Sequence, residues 1–237
     1  MPDITLVPPL PAETKLVGLD TVKAVLGITD ASQDAALTIF IDEATSMAEG
    51  FCNRVFAQAR LQERHRKRLA YDPERAVYVI PLSRPPIVEI HEVRNPDGEV
   101  IPAEAYEVVD PDAGLLGLSA FDPHWWTFWW SSASMPSAPY RIQIEYTGGF
   151  VLPYGAVGTP ALPAAVSRGA IEYVKNVQTS AARASDVVSE RIGDYSVRYE
   201  SQSDLIKATG GSGASLGGQL TTTVRSALAP YKIYAAG

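Results

Sequence analysis

Four segments of the chain place apolar residues every three to four positions, which is the spacing of an amphipathic helix. The longest of the N-terminal segments is predicted to be helical from about Ser32 to Asn53, with Asp30 or Ser32 as its N-cap. A shorter helix precedes it, with Asp20 as its N-cap and Gly27 at its end. Before them, the Pro-rich run TLVPPLPAET predicts an extended arm rather than a helix.

Two more helices are predicted in the second half of the chain. One has Pro163 in its first turn, where proline is well tolerated, and its apolar face should pack on the first long helix. That face consists of Leu162, Val166, Ala170, Tyr173, Val174 and Val177. The other is short, carries Leu220, Val224 and Leu228 on one face, and is closed by Pro230. The run ATGGSGASLGG before it predicts a flexible linker.

Between these helices the pattern changes to the two-residue alternation of β-strands. The segment YRIQIEYTGGF alternates most strictly, whereas RLQERHRKRLA carries charges on both faces and is predicted to be an edge strand. In PPIVEIHEV, Val88 and Ile90 should share one face, with Glu89 and His91 on the other. The NPDG run predicts a turn, because Pro presets φ and Gly accepts a positive φ.

Helices and antiparallel strands are therefore segregated along the chain, which predicts an α+β fold. Residues 1–200 are expected to form one domain, and residues 201–237 a Gly-rich linker with a terminal helix and tail. Within the domain we expect the arm and helices over 1–57, a strand-rich part over 58–150 with an aromatic insertion at 121–139, and the later long helix over 151–200. In that last part, VVSERIGDYSVRYE should form a short helix or loop and then a polar strand from Tyr195 to Glu200.

Composition excludes several classes of function. The chain has 237 residues, a net charge of −7 and one cysteine, Cys52, which is expected to be a buried thiol. Its three histidines lack metal-ligand spacing, so we expect no metal site. No glycine run has a phosphate-loop pattern and no serine lies in a nucleophile elbow, so we expect neither a cofactor nor an enzyme. We also expect no signal peptide and no membrane-spanning segment.

The segment FDPHWWTFWW contains all four tryptophans of the chain. Its rings could pack in the subunit core, stack on nucleic acid, bind a sugar, lie at a membrane interface or contact another subunit. No Lys or Arg lies between Asp122 and Pro139, which disfavours nucleic acid and membrane. The favoured interpretation is an intersubunit or inter-ring contact, because Trp is enriched at interface hot spots. The residues concerned are Trp125, Trp126, Phe128, Trp129 and Trp130.

One basic run stands out in this acidic chain. It comprises Arg64, Arg66, Lys67 and Arg68. These side chains form either a solvated strand face or a pairing surface for an acidic neighbour, such as region 1–50 of the next subunit. The second interpretation predicts association that weakens with salt.

The order of segments resembles that of the head–tail connector (adaptor) proteins of tailed double-stranded DNA phages and gene transfer agents. The N-terminal phrases that carry the resemblance are TLVPPLPAETKLVGLDTVKAVLGI and DAALTIFIDEATSMAEGFCNRVF. The later ones are VIPLSRPPIVEIHEVRNPDGEVIPAEAYEV, RIQIEYTGGF, LPAAVSRGAIEYVKN and ALAPYKIY. Three features depart from the family pattern: Ser83 stands where it has Pro, the insertion at 121–139 is longer and richer in Trp, and the Gly-rich linker is unusual.

The resemblance implies a structural virion protein made in the host cytoplasm and located at the head–tail interface. Twelve copies would form a ring beneath the portal protein, carry a tail-proximal stopper or tail component, and let double-stranded DNA pass through the lumen.

A negative lumen would repel DNA. The hypothesised channel-facing acids are Asp34, Asp42, Glu43 and Glu49. The alternative is that these acids form an ordinary solvated helix face. The C-terminal segment is assigned to portal docking through Leu220, Val224, Leu228, Tyr231, Lys232 and Tyr234; the alternative there is a disordered tail.

A function of a different class remains open at the level of sequence. The chain could be a carbohydrate- or cell-envelope-binding module in which the Trp-rich loop recognises a glycan on a β scaffold. Such a module should be a monomer, whereas a connector should form rings or bind portal.

Overall fold

The computed structural model describes residues 2–9, 14–65, 70–95, 98–119, 142–153, 159–183, 189–192, 195–198 and 220–233. Within these ranges the helices are α1 (Leu19–Leu26), α2 (Asp34–Cys52), α3 (Ala164–Arg183) and α4 (Thr222–Leu228). The strands are β1 (Asp3–Leu6), β2 (Ala59–His65), β3 (Ala70–Asp72), β4 (Val77–Pro81), β5 (Ile87–Arg94), β6 (Tyr106–Asp110), β7 (Leu115–Ser119), β8 (Ile142–Gly148), β9 (Ser189–Ile192) and β10 (Tyr195–Arg198). Helices combined with antiparallel sheets confirm the predicted α+β class.

Two compact units make up the chain. The β unit contains residues 1–14 and 54–162, and the helical unit contains residues 15–53 and 163–237. The division into a domain over 1–200 and a tail over 201–237 follows different boundaries and stays a prediction.

Two four-stranded antiparallel sheets form the β unit. Sheet A has the order β1-β2-β8-β5, and sheet B has the order β3-β4-β7-β6. Residues of both sheets contribute to one apolar cluster. Its fully buried members are Leu61, Ile80, Val93, Leu116, Leu118, Ile144 and Tyr146. The strict alternation predicted for β8 is confirmed, since Ile142, Ile144 and Tyr146 face this cluster.

The prediction that β2 is an edge strand is wrong. β2 lies between β1 and β8, and Leu61 and Glu63 on its inner face are fully buried. The N-terminal arm supplies the outer strand β1, whose Leu6 lies opposite Leu61. This pairing joins residues about sixty positions apart, so local charge patterning did not reveal it.

Strand β5 also departs from its predicted alternation. Register shifts occur between Ile87 and Glu89 and between Ile90 and Glu92. Consequently Ile87 is buried whereas Val88 is 42% exposed, and the predicted shared face of Val88 and Ile90 is interrupted. Bulges of this kind are common at sheet edges, where no second neighbour enforces the register.

The helical unit contains the predicted helices with corrected caps. α2 covers Asp34–Cys52, close to the predicted span, and α1 ends at Gly27, whose φ of 70° requires the left-handed conformation that glycine tolerates. Asp20 lies in the first turn of α1, and the N-cap is Gly18. Neither Asp30 nor Ser32 caps α2, because the Asp30 carboxylate accepts hydrogen bonds from Ser32 instead.

Helix α3 packs on α2, as its apolar face predicts, and also on α4. Among the described side chains of α3, the buried apolar ones are Val166, Ala170, Tyr173 and Val174. The later segment contains a strand where a short helix or loop was expected, since β9 pairs with β10 in an antiparallel hairpin. The partner strand satisfies the backbone groups of β9, whereas the single-strand pattern predicted only β10.

Candidate interaction surfaces

The four acids predicted to face a channel all lie on α2, and Asp34, Asp42 and Glu43 contact residues of the helical unit. Asp34 pairs with Lys23 at 2.7 Å, and Asp42 pairs with Lys15 at 3.2 Å. Glu43 accepts a hydrogen bond of 2.8 Å from the Tyr173 hydroxyl. These partners partly neutralise the helix face, so its field is weaker than the sequence suggested. Glu49 is half-buried on the same helix.

The C-terminal segment is an integral part of the helical unit. Leu220, Val224 and Leu228 are 7%, 2% and 0% exposed, because α4 packs on α3 and α2. The backbone N–H of Ile233 donates to the carbonyl of Cys52 at 2.8 Å. Thr221 is the N-cap of α4, and its hydroxyl accepts from the Val224 N–H. In this structure the apolar face of α4 therefore packs inside the helical unit and is not open to a partner.

The residues after α4 are more accessible. Tyr231 and Lys232 are half-buried, and the Lys232 ammonium lies 5.1 Å from the centre of the Phe51 ring. Tyr234 falls outside the described residues. The structure thus separates the six predicted docking residues into a buried set on α4 and a partly exposed set after it.

Most of the other predicted contact residues lie outside the described residues. These are Trp125, Trp126, Phe128, Trp129, Trp130, Arg66, Lys67 and Arg68. Arg64 is described: it is exposed on the outer face of β2, where its Nε donates to the Gln143 side chain at 3.3 Å.

A buried carboxylate that the sequence analysis did not identify organises the β unit. Glu63 is fully buried, and its Oε1 accepts from the Tyr146 hydroxyl at 2.5 Å and from the Ser83 N–H at 3.0 Å. The Ser83 hydroxyl donates to Oε2 at 3.2 Å, and His65 Nε2 lies 3.1 Å from the same oxygen. The Tyr146 oxygen in turn accepts from the Arg84 N–H at 3.1 Å. The sequence signal that could have identified this carboxylate is its spacing: Glu63 lies two residues after Leu61, so both side chains face the same side of β2.

This network explains two of the phrases that carried the family resemblance. LSRPP supplies the N–H groups of Ser83 and Arg84, and EYTGGF supplies Tyr146. At Gly148, which ends the strand, a Cβ would overlap the Arg84 carbonyl oxygen and lie 2.7 Å from the Tyr146 ring. Gly149 has φ of +99°, and a Cβ there would lie 2.7 Å from the Ala57 carbonyl oxygen. Both glycines allow a close approach of backbone, Gly148 to the turn at Arg84 and Gly149 to Ala57 before β2.

Parts of two phrases that carry the family resemblance meet in the same unit through a cation–π contact. The Arg54 guanidinium of FCNRVF lies 5.1 Å from the centre of the Phe56 ring and 5.2 Å from that of Phe150, the last residue of EYTGGF. Arg54 also donates to the Pro85 carbonyl. Arg54 therefore joins the start of β2, the turn before β5 and the end of β8.

The buried tyrosines predict loss of stability at alkaline pH. Burial and the Glu63 carboxylate raise the pKa of Tyr146, and burial and the hydrogen bond to Glu43 raise the pKa of Tyr173. Both phenols stay protonated in the folded chain while the unfolded chain loses these protons above about pH 10. The stabilisation that the raised pKa values of the two tyrosines provide is complete below about pH 10 and is lost as pH rises beyond it. The midpoint temperature of thermal unfolding should therefore decrease as the pH is raised above about 10.

The control for this prediction is a tyrosine on the surface. Tyr146→Phe should flatten part of the alkaline fall, whereas Tyr71→Phe, at a side chain that is 50% exposed, should leave it unchanged. An alkaline fall of the same size in the wild type and Tyr146→Phe would contradict the assignment to Tyr146.

An open apolar groove lies between two edge strands of the β unit. It has a volume of about 470 Å³ and is lined by β5, β6 and the turn after β6. The lining residues are Ile87, Val88, Glu89, Ile90, Tyr106, Glu107, Val108 and Pro111. We call it the edge groove. In the described part of the chain, no three His, Cys, Asp or Glu side chains are placed to hold a metal ion, and no helix is long and apolar enough to cross a membrane.

The comparisons with known proteins agree with one another. Residues 17–81, which begin just before α1 and end with β4, match the family described as phage gp6-like head–tail connector protein. Over 99% of this chain and 97% of the other, the fold is similar to a chain in the neck of an empty gene transfer agent (GTA) particle computed with C6 symmetry, at a TM-score of 0.51 and 14% identity. The same values hold for the neck of a native particle computed with C12 symmetry.

A third similar structure is the virion of a native gene transfer agent particle, with a TM-score of 0.50, 15% identity, and coverage of 98% and 96% of the two chains. No curated protein sequence matches the chain. The family match confirms the resemblance predicted from the sequence. The structural similarity shows that the chain shares its fold with the compared neck structures over nearly its whole length. The carbohydrate-binding alternative is not favoured by these findings.

Proposed function

We propose that this chain is a head–tail connector that forms a ring beneath the portal, joins the capsid to the tail and lets DNA pass through its lumen. The observation that carries the proposal is the match of residues 17–81 to the connector family, together with a fold shared over almost the whole chain with proteins of a particle neck. The protein would be located in the virion and would act as a structural component without catalysis.

A closed ring requires two different surfaces on each copy that meet head to tail. The similar neck structures were computed with C6 and C12 symmetry, which supports a ring and is compatible with twelve copies. Portal above and a tail component below are the partners proposed for the two ends of the ring. The Trp-rich run, which includes Trp125 and Trp130, remains a proposed contact between subunits or rings.

Docking on the portal is proposed to involve the residues that follow α4 rather than its apolar face. Tyr231 and Lys232 are the accessible members of the predicted set, whereas Leu228 is fully buried. An aromatic side chain beside a cation offers large contact area with a charged group for a carboxylate on the partner.

The proposed acidic channel face consists of Asp34, Asp42, Glu43 and Glu49. Because Lys23 and Lys15 pair with Asp34 and Asp42, we expect weak repulsion of DNA, which permits passage without strong electrostatic exclusion. The net charge of −7 supports a conduit that does not hold DNA.

The proposal is tested by adding the purified full-length chain to capsids that carry the portal but lack a neck. We expect rings at the portal vertex in negative-stain images, and sedimentation of the chain with these capsids but not with capsids lacking portal. A monomer that ignores portal and binds cell-wall polysaccharide instead would contradict the connector function and support the carbohydrate-binding alternative.

A further inference from the structure

Within the described residues, sheet A ends in an unpaired strand edge on each side. Its order places β1 at one edge and β5 at the other, and in the described part of the chain no further strand pairs with β1 beyond β2 or with residues 88–92 of β5. Open edges with exposed apolar side chains promote pairing with another chain unless the protein protects them. Two such edges at opposite ends of one sheet are suited to head-to-tail contact between copies.

Strand β1 carries an apolar face that the subunit leaves half exposed. Ile4 lies opposite Glu63 and Leu6 opposite Leu61, so both side chains point toward the inner face of the sheet. Nevertheless Ile4 is 49% exposed and Leu6 is 42% exposed. All four residues of β1 are exposed, which is unusual for a strand whose partner β2 is interior. A second chain beside β1 would cover these side chains.

The edge groove on the opposite side has the dimensions for a short strand. One wall is β5 and the other is β6, and the exposed apolar residues on them are Val88 at 42% and Val108 at 41%. Hydrogen bonds close both ends: the Ile87 N–H donates to the Pro111 carbonyl at 2.8 Å, and the Ile101 N–H donates to the Val93 carbonyl at 2.7 Å. The open length between these bonds is residues 88–92, and β1 has four residues, Asp3–Leu6.

Charges of opposite sign lie beside the two edges, and β1 itself also carries the Asp3 carboxylate. Arg64 lies on β2 directly opposite Asp3 of β1 and is exposed. Its described side-chain partner is Gln143, which is neutral. Glu89 on β5 has a side chain that is 67% exposed, and Glu107 lies on the other wall of the groove. If β1 of one copy pairs with β5 of another, only β1 separates the Arg64 guanidinium from the carboxylates of Glu89 and Glu107. Long Arg and Glu side chains can span that distance.

We propose that β1 of one copy pairs with β5 of a second copy, so that Ile4 and Leu6 occupy the edge groove and sheet A continues from subunit to subunit. The inference rests on the proposed ring, because head-to-tail pairing satisfies every edge only when the chain of copies closes. Backbone hydrogen bonds along the shared edge provide affinity, and alternate side chains in the groove provide register.

Photo-crosslinking tests the contact without requiring the exact register. Leu6 is replaced by the photoreactive residue benzoylphenylalanine in the full-length chain, and this chain is mixed with an isotope-labelled wild-type chain under conditions that give rings in negative-stain images. We expect crosslinks from position 6 to residues 87–92 or 106–111 of the labelled chain. The matched control carries the same residue at Val25, which is 57% exposed on α1, and should not label the groove.

Crosslinks from position 6 that stay within one chain, or that reach other regions of the second chain, would overturn the edge contact while rings still support a connector. If the chain forms no rings and does not bind portal, the proposed function fails as well. The two failures are therefore distinguishable in the same samples.

Charge in the groove offers a second readout. Leu6→Lys and Val108→Lys should each lower the fraction of chains in rings by about tenfold or more, since each buries an ammonium in the contact. Val25→Lys should leave it unchanged, and circular dichroism should show that all three variants fold. Ring formation by Leu6→Lys at the wild-type level would overturn the inference.

Discussion

Removal of residues 220–237 is expected to destabilise the helical unit by several kcal/mol rather than merely to release a docking tail. The segment buries Leu220, Val224 and Leu228, and each side chain contributes about 1.5–3 kcal/mol on burial. The truncation also exposes the faces of α2 and α3 on which α4 packs. Urea unfolding of the truncated and full-length chains, followed by circular dichroism, measures the loss.

Point variants separate this stability effect from a role in docking. Leu228→Ala should cost about 2–5 kcal/mol because it leaves a cavity among α2, α3 and α4. Arg225→Ala, at an exposed position of the same helix, should change stability by no more than about 0.5 kcal/mol. Equal stabilities of the two variants would contradict the structural role of α4. Reduced portal binding by Lys232→Ala at unchanged stability would instead support the proposed docking by the residues that follow the helix.

Replacement of Glu63 by leucine is expected to cost about 3–5 kcal/mol, because several buried donors lose their acceptor at once. Leucine has a similar size but accepts no hydrogen bond, so the Tyr146 hydroxyl and the Ser83 N–H lose their acceptor inside the β unit. A buried donor without a partner costs about 1–3 kcal/mol. The turn between β4 and β5 should loosen, which amide hydrogen exchange at Ser83 and Arg84 would detect.

Two further variants sharpen this experiment. Tyr146→Phe removes one donor to Glu63 and should cost about 1–3 kcal/mol, less than the loss of the carboxylate. Glu104→Leu removes an exposed carboxylate of the same unit and should be nearly neutral. If Glu63→Leu is as stable as the wild type, desolvation of the carboxylate offsets its hydrogen bonds, as occurs for some buried ion pairs. The hydrogen bonds of Glu63 would then not be what stabilises the turn between β4 and β5.

Part of the candidate site could be inferred from the sequence and part could not. The apolar faces of α2 and α3 were predicted because helical spacing is a local signal, and the same spacing identified Val224 and Leu228 on α4. Their role was assigned to docking, since periodicity shows that a face will be covered but not what covers it. In the structure, α3 and α2 of the same chain cover it.

The acids show the same limitation. Asp34 and Asp42 were predicted to face a channel or solvent, but the sequence does not show that Lys23 and Lys15 reach them. Glu63 was overlooked because a carboxylate in a strand normally faces water. Its partners come from positions 65, 83 and 146, so only the assembled sheets bring them together.

By itself the sequence determined the helices, the strictest strand, the α+β class and the family resemblance, because helical and strand periodicities are short-range and the family phrases are contiguous. The tertiary structure alone decided which segments meet. It placed β1 beside β2, made β2 an interior strand and left β5 and β6 as the walls of a groove. These features depend on pairings between residues far apart in the chain, where the gain from burial and hydrogen bonding exceeds the entropy of closing long loops. No local pattern encodes that balance.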